Sequence, residues 1–309
     1  MAEFLASDDI DFSLFMRETE GEHRVLPSSA YAQAVNSHFH DKSIDRGAKM
    51  PWKKAGDMLS FRPGEVTCWN GYNGSGKSEV LGQITLGLVA QGKRVCIASL
   101  EMPPVRTLAR MCRQASGVIV PSTKYINEFH QRTDGGLWFY DKQGSVQSER
   151  VLALLRYCAK QKGIEHFILD SLMKCGVSEY GQSAYEDQKK FVDSLCEIAD
   201  STQMHIHLVT HARKPDDESK VPGKYDIAGA KSIPDQVYNV INVWRNKPKE
   251  RKAERGEGVD VMEPDCVLIC DKQRNGDWEG RILLYLHKQS HQFLEQPHAQ
   301  PRDLLTIPA

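Results

Sequence analysis

No apolar run in the 309 residues approaches the roughly 18 that a membrane span requires, which argues against a spanning helix. The opening residues, Met1-Ala2-Glu3-Phe4-Leu5-Ala6-Ser7-Asp8-Asp9, lack the basic and then apolar regions of a signal peptide, so the expected compartment is the cytosol. Cysteine is present but never in C-x-x-C spacing. Cys68, Cys96, Cys112, Cys158, Cys175, Cys196, Cys266 and Cys270 lie mostly in apolar segments, which argues against a structural zinc site and for reduced core thiols. An excess of one charge is also missing. With a net charge of -1 there is no global basic field, and any binding to nucleic acid must come from local patches. No repeat of fixed period and no extended low-complexity tract is found. What remains, at 40% hydrophobic and 26% charged, is the composition of an ordinary soluble protein: one large α/β domain carrying an arm.

Against this plain background one stretch stands out. Gly71-Tyr72-Asn73-Gly74-Ser75-Gly76-Lys77-Ser78 fits G-x-x-x-x-G-K-[ST] at every fixed position, the pattern of a phosphate-binding loop. Glu65 to Asn70 before it reads as a buried strand. After it Val80, Leu81, Ile84 and Leu88 share one face of a helix that stops at Gly92. Glycines at 71, 74 and 76, together with Asn73 and Ser75, let backbone N–H groups converge on a β-phosphate at the helix N-terminus. Lys77 reaches the β- and γ-phosphates, and Ser78 offers its hydroxyl to Mg²⁺. ATP with Mg²⁺ is the expected ligand.

Residues 1–27 show no clean period and read as an arm. From Ser28 or Ser29, a potential cap, Tyr31, Ala34, Val35, His38 and Phe39 recur at helical spacing, and this linker helix either folds back on its own domain or packs on a neighbouring subunit. From Glu65 onward strands and helices alternate, which predicts a mostly parallel sheet with helices on both faces. Arg94 to Leu100 is a second strand ending at Glu101, on the ligand side of such a sheet. Pro103 and Pro104 start a helix through Val105, Leu108 and Cys112; Leu137 to Tyr140 is a strand; Ser148 caps a helix through Val151, Leu155 and Cys158. His166 to Ser171 is an apolar strand ending in Asp170, the Walker B arrangement, where the acid would be a second anchor for Mg²⁺. A long helix through Phe191 and Ile198 follows. The next strand, His205 to Thr210, ends at His211; its two inward histidines read as packed rather than metal-ligating. His211 to Lys231 is polar, rich in both charges and without period, a long functional loop. Val237 to Trp244 is a strand, Lys247 to Pro264 a second charged loop, and Cys266 to Lys272 with Arg281 to His287 a hairpin whose turn is Gln273 to Asp277. The tail from Gln296 is expected to be loosely held.

Four segments carry a family resemblance: Gly71 to Ser78; Ser99-Leu100-Glu101-Met102-Pro103 with Leu108-Ala109-Arg110-Met111; Leu169-Asp170-Ser171; and Asp271-Lys272-Gln273-Arg274-Asn275-Gly276. On these the chain resembles the RecA-fold motor domain of DnaB-like replicative helicases, the group that includes Twinkle and the phage helicase-primases. The resemblance implies a RecA-like P-loop NTPase over residues 51–295, with residues 1–50 as arm and linker helix and 296–309 as a tail. It further implies an ATP-dependent hexameric DNA helicase moving on single-stranded DNA in a bacterial or phage-infected cytosol, with a primase or loader as a further partner. Arg274 would reach the neighbouring subunit's nucleotide as an arginine finger, with Lys272 assisting. Glu101 would orient the attacking water, and His211 would sense hydrolysis and move the DNA loop. Asp226 to Lys231 falls where the family has that loop, so Arg213, Lys224, Gly229, Ala230 and Lys231 are the expected nucleic-acid contacts. Two departures stand out. Asp235-Gln236-Val237-Tyr238 replaces the family's usual Gln-Asp-Ala-Asp, and the first 50 residues have no room for a primase, zinc-ribbon or helical N-terminal domain. Competing readings are a recombinase-type ATPase without unwinding and a nucleotide-regulated loader or adaptor.

Overall fold

The computed structural model describes residues 4–5, 27–41, 46–56, 58–177, 182–213 and 219–305. Twelve strands and nine α-helices are found among them: β1 Phe4–Leu5, α1 Ala32–His40, β2 Ala48–Lys49, α2 Lys53–Gly56, β3 Ser60–Phe61, β4 Val66–Asn70, α3 Lys77–Ala90, β5 Val95–Ser99, α4 Pro104–Ser116, α5 Thr123–Thr133, β6 Leu137–Tyr140, α6 Ser148–Lys162, β7 His166–Asp170, α7 Gln182–Thr202, β8 His205–Val209, α8 Ile233–Gln236, β9 Asn239–Arg245, α9 Lys247–Glu254, β10 Cys266–Gln273, β11 Gly280–His287 and β12 Gln292–Leu294. Ten strands form one sheet in the order β1-β6-β5-β7-β8-β4-β9-β10-β11-β12, parallel from β1 to β9 and antiparallel from β9 to β12. The strands read as continuous apolar runs because helices cover both faces. Val66 and Cys68 pack under α6 and α7, whereas Trp69, one position out of phase, packs under α3 and α4 with Val80, Ile84 and Met111.

Three stretches differ from what the residues predict. Helix α5 is absent from the sequence reading because only Phe129 and Thr133 along it are buried, too few for a helical period; its start is fixed by Ser122, whose Oγ accepts from Tyr125 N at 3.2 Å. The charged stretch after Trp244 contains α9, capped by Asn246 Oδ1 accepting from Lys249 N, with Lys249 as its one buried residue. The tail is not loose as far as residue 305. Gln292 and Arg302 exchange two hydrogen bonds, Asp303 pairs with Arg132 at 2.8 Å and accepts from the Tyr125 hydroxyl, and Leu304 N donates to Ala115 O. The partners lie on α4, α5 and β12, and neither α5 nor the three-residue β12 leaves a period in the residues that would reveal a dock for the tail. Ser148 opens α6 without capping it by its side chain. As for the linker helix, none of its residues is buried, and Tyr31, Val35 and Phe39 are 50%, 52% and 70% exposed, so it is not folded onto its own domain. Of the arm, Phe4 and Leu5 pair in parallel with Phe139 and Tyr140 at the sheet edge; residues 6–26 lie outside the described residues.

At the end of the sheet where β4, β7 and β8 begin, His166, His205 and His207 are all buried. Trp69 Nε1–H donates to His207 Nδ1 at 3.2 Å, which leaves His207 Nε2 to donate to His166 Nδ1 at 3.3 Å. His205 donates from Nδ1 to the Arg62 carbonyl at 2.7 Å and accepts the Thr67 hydroxyl at Nε2. All three rings are therefore neutral, and among the described residues no group could hold a metal ion here. Burial pushes His205 down to about 4 and drives His166 and His207 well below the ordinary 6.5, with the neighbouring rings adding repulsion. The unfolded chain binds these protons more readily than the folded one. Stability is thus intact above the ordinary histidine value and falls as pH drops through it towards the folded values, by about 3 kcal/mol for His205 alone. Denaturant unfolding followed from neutral pH to about pH 5, above most carboxylate titration, should show roughly 2 kcal/mol of the His205 loss, and His205→Asn should lower the slope by that share. An unchanged slope would show that the cluster does not set acid stability.

Candidate nucleotide site at the strand ends

The parallel register places four strand ends at one level. Ser99 sits opposite Asp170, Leu169 opposite Leu208, and Val209 opposite Trp69, so whatever follows β5, β7, β8 and β4 emerges side by side. After β4 comes the glycine-rich loop. Gly71 has no room for a side chain: a Cβ there would lie 2.7 Å from Ser75 Oγ and would strike the Val243 carbonyl of β9. Gly76 adopts φ +85° at the N-cap of α3, a conformation that costs glycine little and turns the chain directly into the helix.

Lys77, the first residue of α3, is 6% exposed and donates to the carbonyls of Gly71 at 2.8 Å and Tyr72 at 3.0 Å. Burial lowers its pKa to about 8, against the pull of Asp170 and Glu101. Ser78 Oγ donates to Asp170 Oδ2 at 2.7 Å. Asp170 is held above the usual carboxylate value chiefly by burial, with the Ser78 hydrogen bond opposing. A hydroxyl and a carboxylate this close form the hard oxygen pair that suits Mg²⁺ together with a phosphate. Glu101, just past β5, accepts from Ser171 Oγ at 3.1 Å and lies 3.9 Å from His211 Nε2. Burial and then the Lys77 charge lower the His211 pKa, while Glu101 acts the other way. Asn73 to Glu79, Glu101, Asp170 and His211 line one cavity of about 380 Å³. The loop amides, the helix N-terminus and the oxygen pair fit a nucleoside triphosphate with a divalent cation.

Two arginines complete the wall without having been singled out as site residues. Arg110 reaches it from α4, and its charge lowers the Asp170 pKa; Arg245 reaches it from the end of β9, beside β4. Arg110 stands in one of the four segments that carry the family resemblance, and Arg245 directly follows the strand Val237 to Trp244.

Arg274 and Lys272 lie elsewhere. Because β10 runs antiparallel to β9, the β10–β11 turn sits where β4 and β9 begin, at the sheet end opposite the glycine-rich loop. All three donors of Lys272 Nζ go to carbonyls of its own chain, Pro234 at 2.6 Å, Asp235 at 3.0 Å and Val237 at 2.8 Å, so it braces the strand that carries Arg274. Arg274 is exposed, stacks 4.9 Å over the Tyr238 ring and donates to Asp235 O. In the loop between β8 and β9, Arg213, Lys224 and Lys231 gather with Tyr225, Ile227 and Pro234 around a recess of about 250 Å³. Gly229 and Ala230 do not join them: Ala230 is buried, its N–H donates to Gln188 Oε1 at 2.9 Å, and Gly229 packs on the same amide.

Comparison with known proteins agrees with this geometry. One solved ATPase domain superposes with a TM-score of 0.74 at 13% identity over 88% of this chain and 99% of that one. A DnaB-like replicative helicase, solved for its interactions with primase, gives a TM-score of 0.70 at 13% identity over 88% of this chain and 67% of that one. The fold is thus that of the RecA-like ATPase domains of DnaB-like helicases. The family model described as AAA domain matches residues 52–217, more than half of the sequence. The chain belongs to this AAA domain family.

Proposed function

We propose that this protein is an ATP-driven motor that assembles as a ring, a hexamer by analogy with its fold relatives, and moves on single-stranded DNA as a replicative helicase. One observation carries the reading: Lys77, Ser78, Asp170, Glu101 and His211 converge on one cavity while Arg274 is held at the far end of the same sheet. Such a finger is useful only to the nucleotide of a neighbouring copy. In the cavity the loop amides and Lys77 neutralise phosphate charge, and Ser78 and Asp170 would hold Mg²⁺. Bound there, Mg²⁺ would supply charge stabilisation on the phosphate oxygens. Glu101, whose carboxylate accepts from Ser171, would take a proton from an attacking water. His211 joins Glu101 to the polar loop: Ala212 N donates to Gly71 O and Ala228 N to His211 O, so a shift at the strand end is felt along the loop that carries Arg213, Lys224 and Lys231. Phosphates of a single strand are the partner those cations suit. A primase or a loader is a further partner, by analogy with the solved DnaB-like helicase.

Lys77→Ala should abolish nucleotide binding and turnover, measured by labelled-ATP binding and phosphate release; near wild-type turnover would remove the site. Glu101→Gln should bind ATP normally and hydrolyse it about 10² to 10⁴ times more slowly, whereas equal losses of both would make Glu101 structural. The function itself is tested by ATPase rate with and without single-stranded DNA and by strand displacement on a forked duplex. Stimulation together with displacement is expected. A rate indifferent to DNA, with no displacement, would point to a nucleotide switch such as a loader.

A further inference from the structure

The recess in the β8–β9 loop contains more than cations. Tyr225 is 75% exposed, with no hydrogen bond from its hydroxyl to any described residue, yet the backbone on both sides of it is held by hydrogen bonds. Gly223 N donates to Asp226 Oδ2 at 2.9 Å and Asp226 N to Gly223 O, closing the turn around Tyr225. Lys224 N donates to Asp271 Oδ2 at 2.9 Å, tying the turn to β10, and Arg213 N donates to Asp226 O. Ile227, the second residue after it, is buried and bridges Ala212. A large aromatic held out into solvent by a rigid turn loses little further entropy when a flat ligand stacks on it. The chemistry around it says which ligand: Lys224 Nζ stands 5.5 Å from the ring centre, and Arg213 and Lys231 line the same recess. An aromatic face beside three cations matches a nucleotide whose base is free to leave a stack and whose phosphates lie alongside. A duplex buries its base faces and cannot use such a ring.

We propose that Tyr225 is a stacking platform for an unpaired base, so that this loop holds a single strand by its base faces as well as by its phosphates. The inference rests on the loop being the nucleic-acid contact, and the test separates the two. Binding of a fluorescein-labelled oligothymidylate to the full chain is measured by anisotropy, with a non-hydrolysable ATP analogue present, for wild type, Tyr225→Ala, Tyr225→Phe and Lys231→Ala. An oligonucleotide of the same length made of abasic residues is measured in parallel.

Tyr225→Ala should bind oligothymidylate at least about fivefold more weakly, as loss of one stacked base implies, while Tyr225→Phe binds as wild type does. Wild type should prefer oligothymidylate over the abasic strand, and Tyr225→Ala should have lost most of that preference. Salt dependence distinguishes the cations from the ring: Lys231→Ala should lower the slope by up to about one unit and Tyr225→Ala should leave it unchanged. If wild type binds the strand but Tyr225→Ala matches it on both oligonucleotides, the platform is wrong and the contact is to phosphate alone. A Tyr225→Ala loss seen with free ATP instead of the oligonucleotide overturns it in favour of a second nucleotide site. If wild type binds neither strand, the nucleic-acid reading falls and the platform with it.

Discussion

Four parallel strands buried on both faces, β5, β7, β8 and β4, end at the same level, and the glycine-rich loop, Glu101, Asp170 and His211 of the nucleotide cavity all hang from that alignment. Had β7 slipped by one residue, Asp170 would point into a core face and Ser78 would lose its partner at 2.7 Å. The alignment is enforced by packing. Val66 and Cys68 fill one core and Trp69 the other, so a slip would exchange apolar faces along the whole strand. The cavity is therefore as rigid as the sheet, which suits chemistry that depends on positioning charges more than on making bonds.

The same sheet connects the cavity to the rest of the molecule through a chain of polar groups. Asn70, the last residue before the glycine-rich loop, donates to Asn242 Oδ1 at 2.7 Å; Asn242 donates to Asp271 Oδ2 at 2.7 Å; and Asp271 accepts from Lys224 N in the polar loop. Burial raises the Asp271 pKa, and the Lys224 N–H opposes that rise. Asn70 and Asn242 are fully buried, and leaving either unpaired costs about 1–3 kcal/mol. At the other end of the sheet Glu65 accepts from Asn239 and from Asn275 in the β10–β11 turn, which fixes the turn carrying Arg274 to the start of β4. Nucleotide cavity, polar loop and Arg274 turn are thus all referenced to β4 and β9.

Much of this was legible in the residues, for reasons that differ by element. The glycine-rich loop could be read because its requirements are backbone requirements: Gly71 faces the β9 carbonyl and Gly76 sits at positive φ, so few other residues would serve. The central strands were legible as continuous apolar runs, and the late hairpin from its turn residues. Helices α5 and α9 were not, because they touch the core through one or two residues and leave no apolar period. Two of the three buried histidines were recognised as packed, but His166 joins them only through the pairing of β7 with β8, which periodicity does not reveal. Arg110, Arg245 and the bracing role of Lys272 were likewise set by long-range proximity. Ala230 was expected at a nucleic-acid surface and is instead tied inward by Gln188, a partner 42 positions away.

The central claim is that one working site needs two copies of the chain, one supplying the cavity and the other Arg274. Mixing two inactive variants tests it most directly. Arg274→Ala keeps an intact cavity and should lose about 10³ to 10⁵ in turnover if Arg274 acts as an arginine finger, and Lys77→Ala keeps Arg274 beside a dead cavity. ATP turnover is measured for each alone and for equimolar mixtures, with ring formation followed by light scattering. The account predicts that activity returns on mixing, at interfaces where the sound cavity meets the sound finger. A mixture that forms rings and stays inactive, or an Arg274→Ala protein that turns over ATP as fast as wild type, would contradict it.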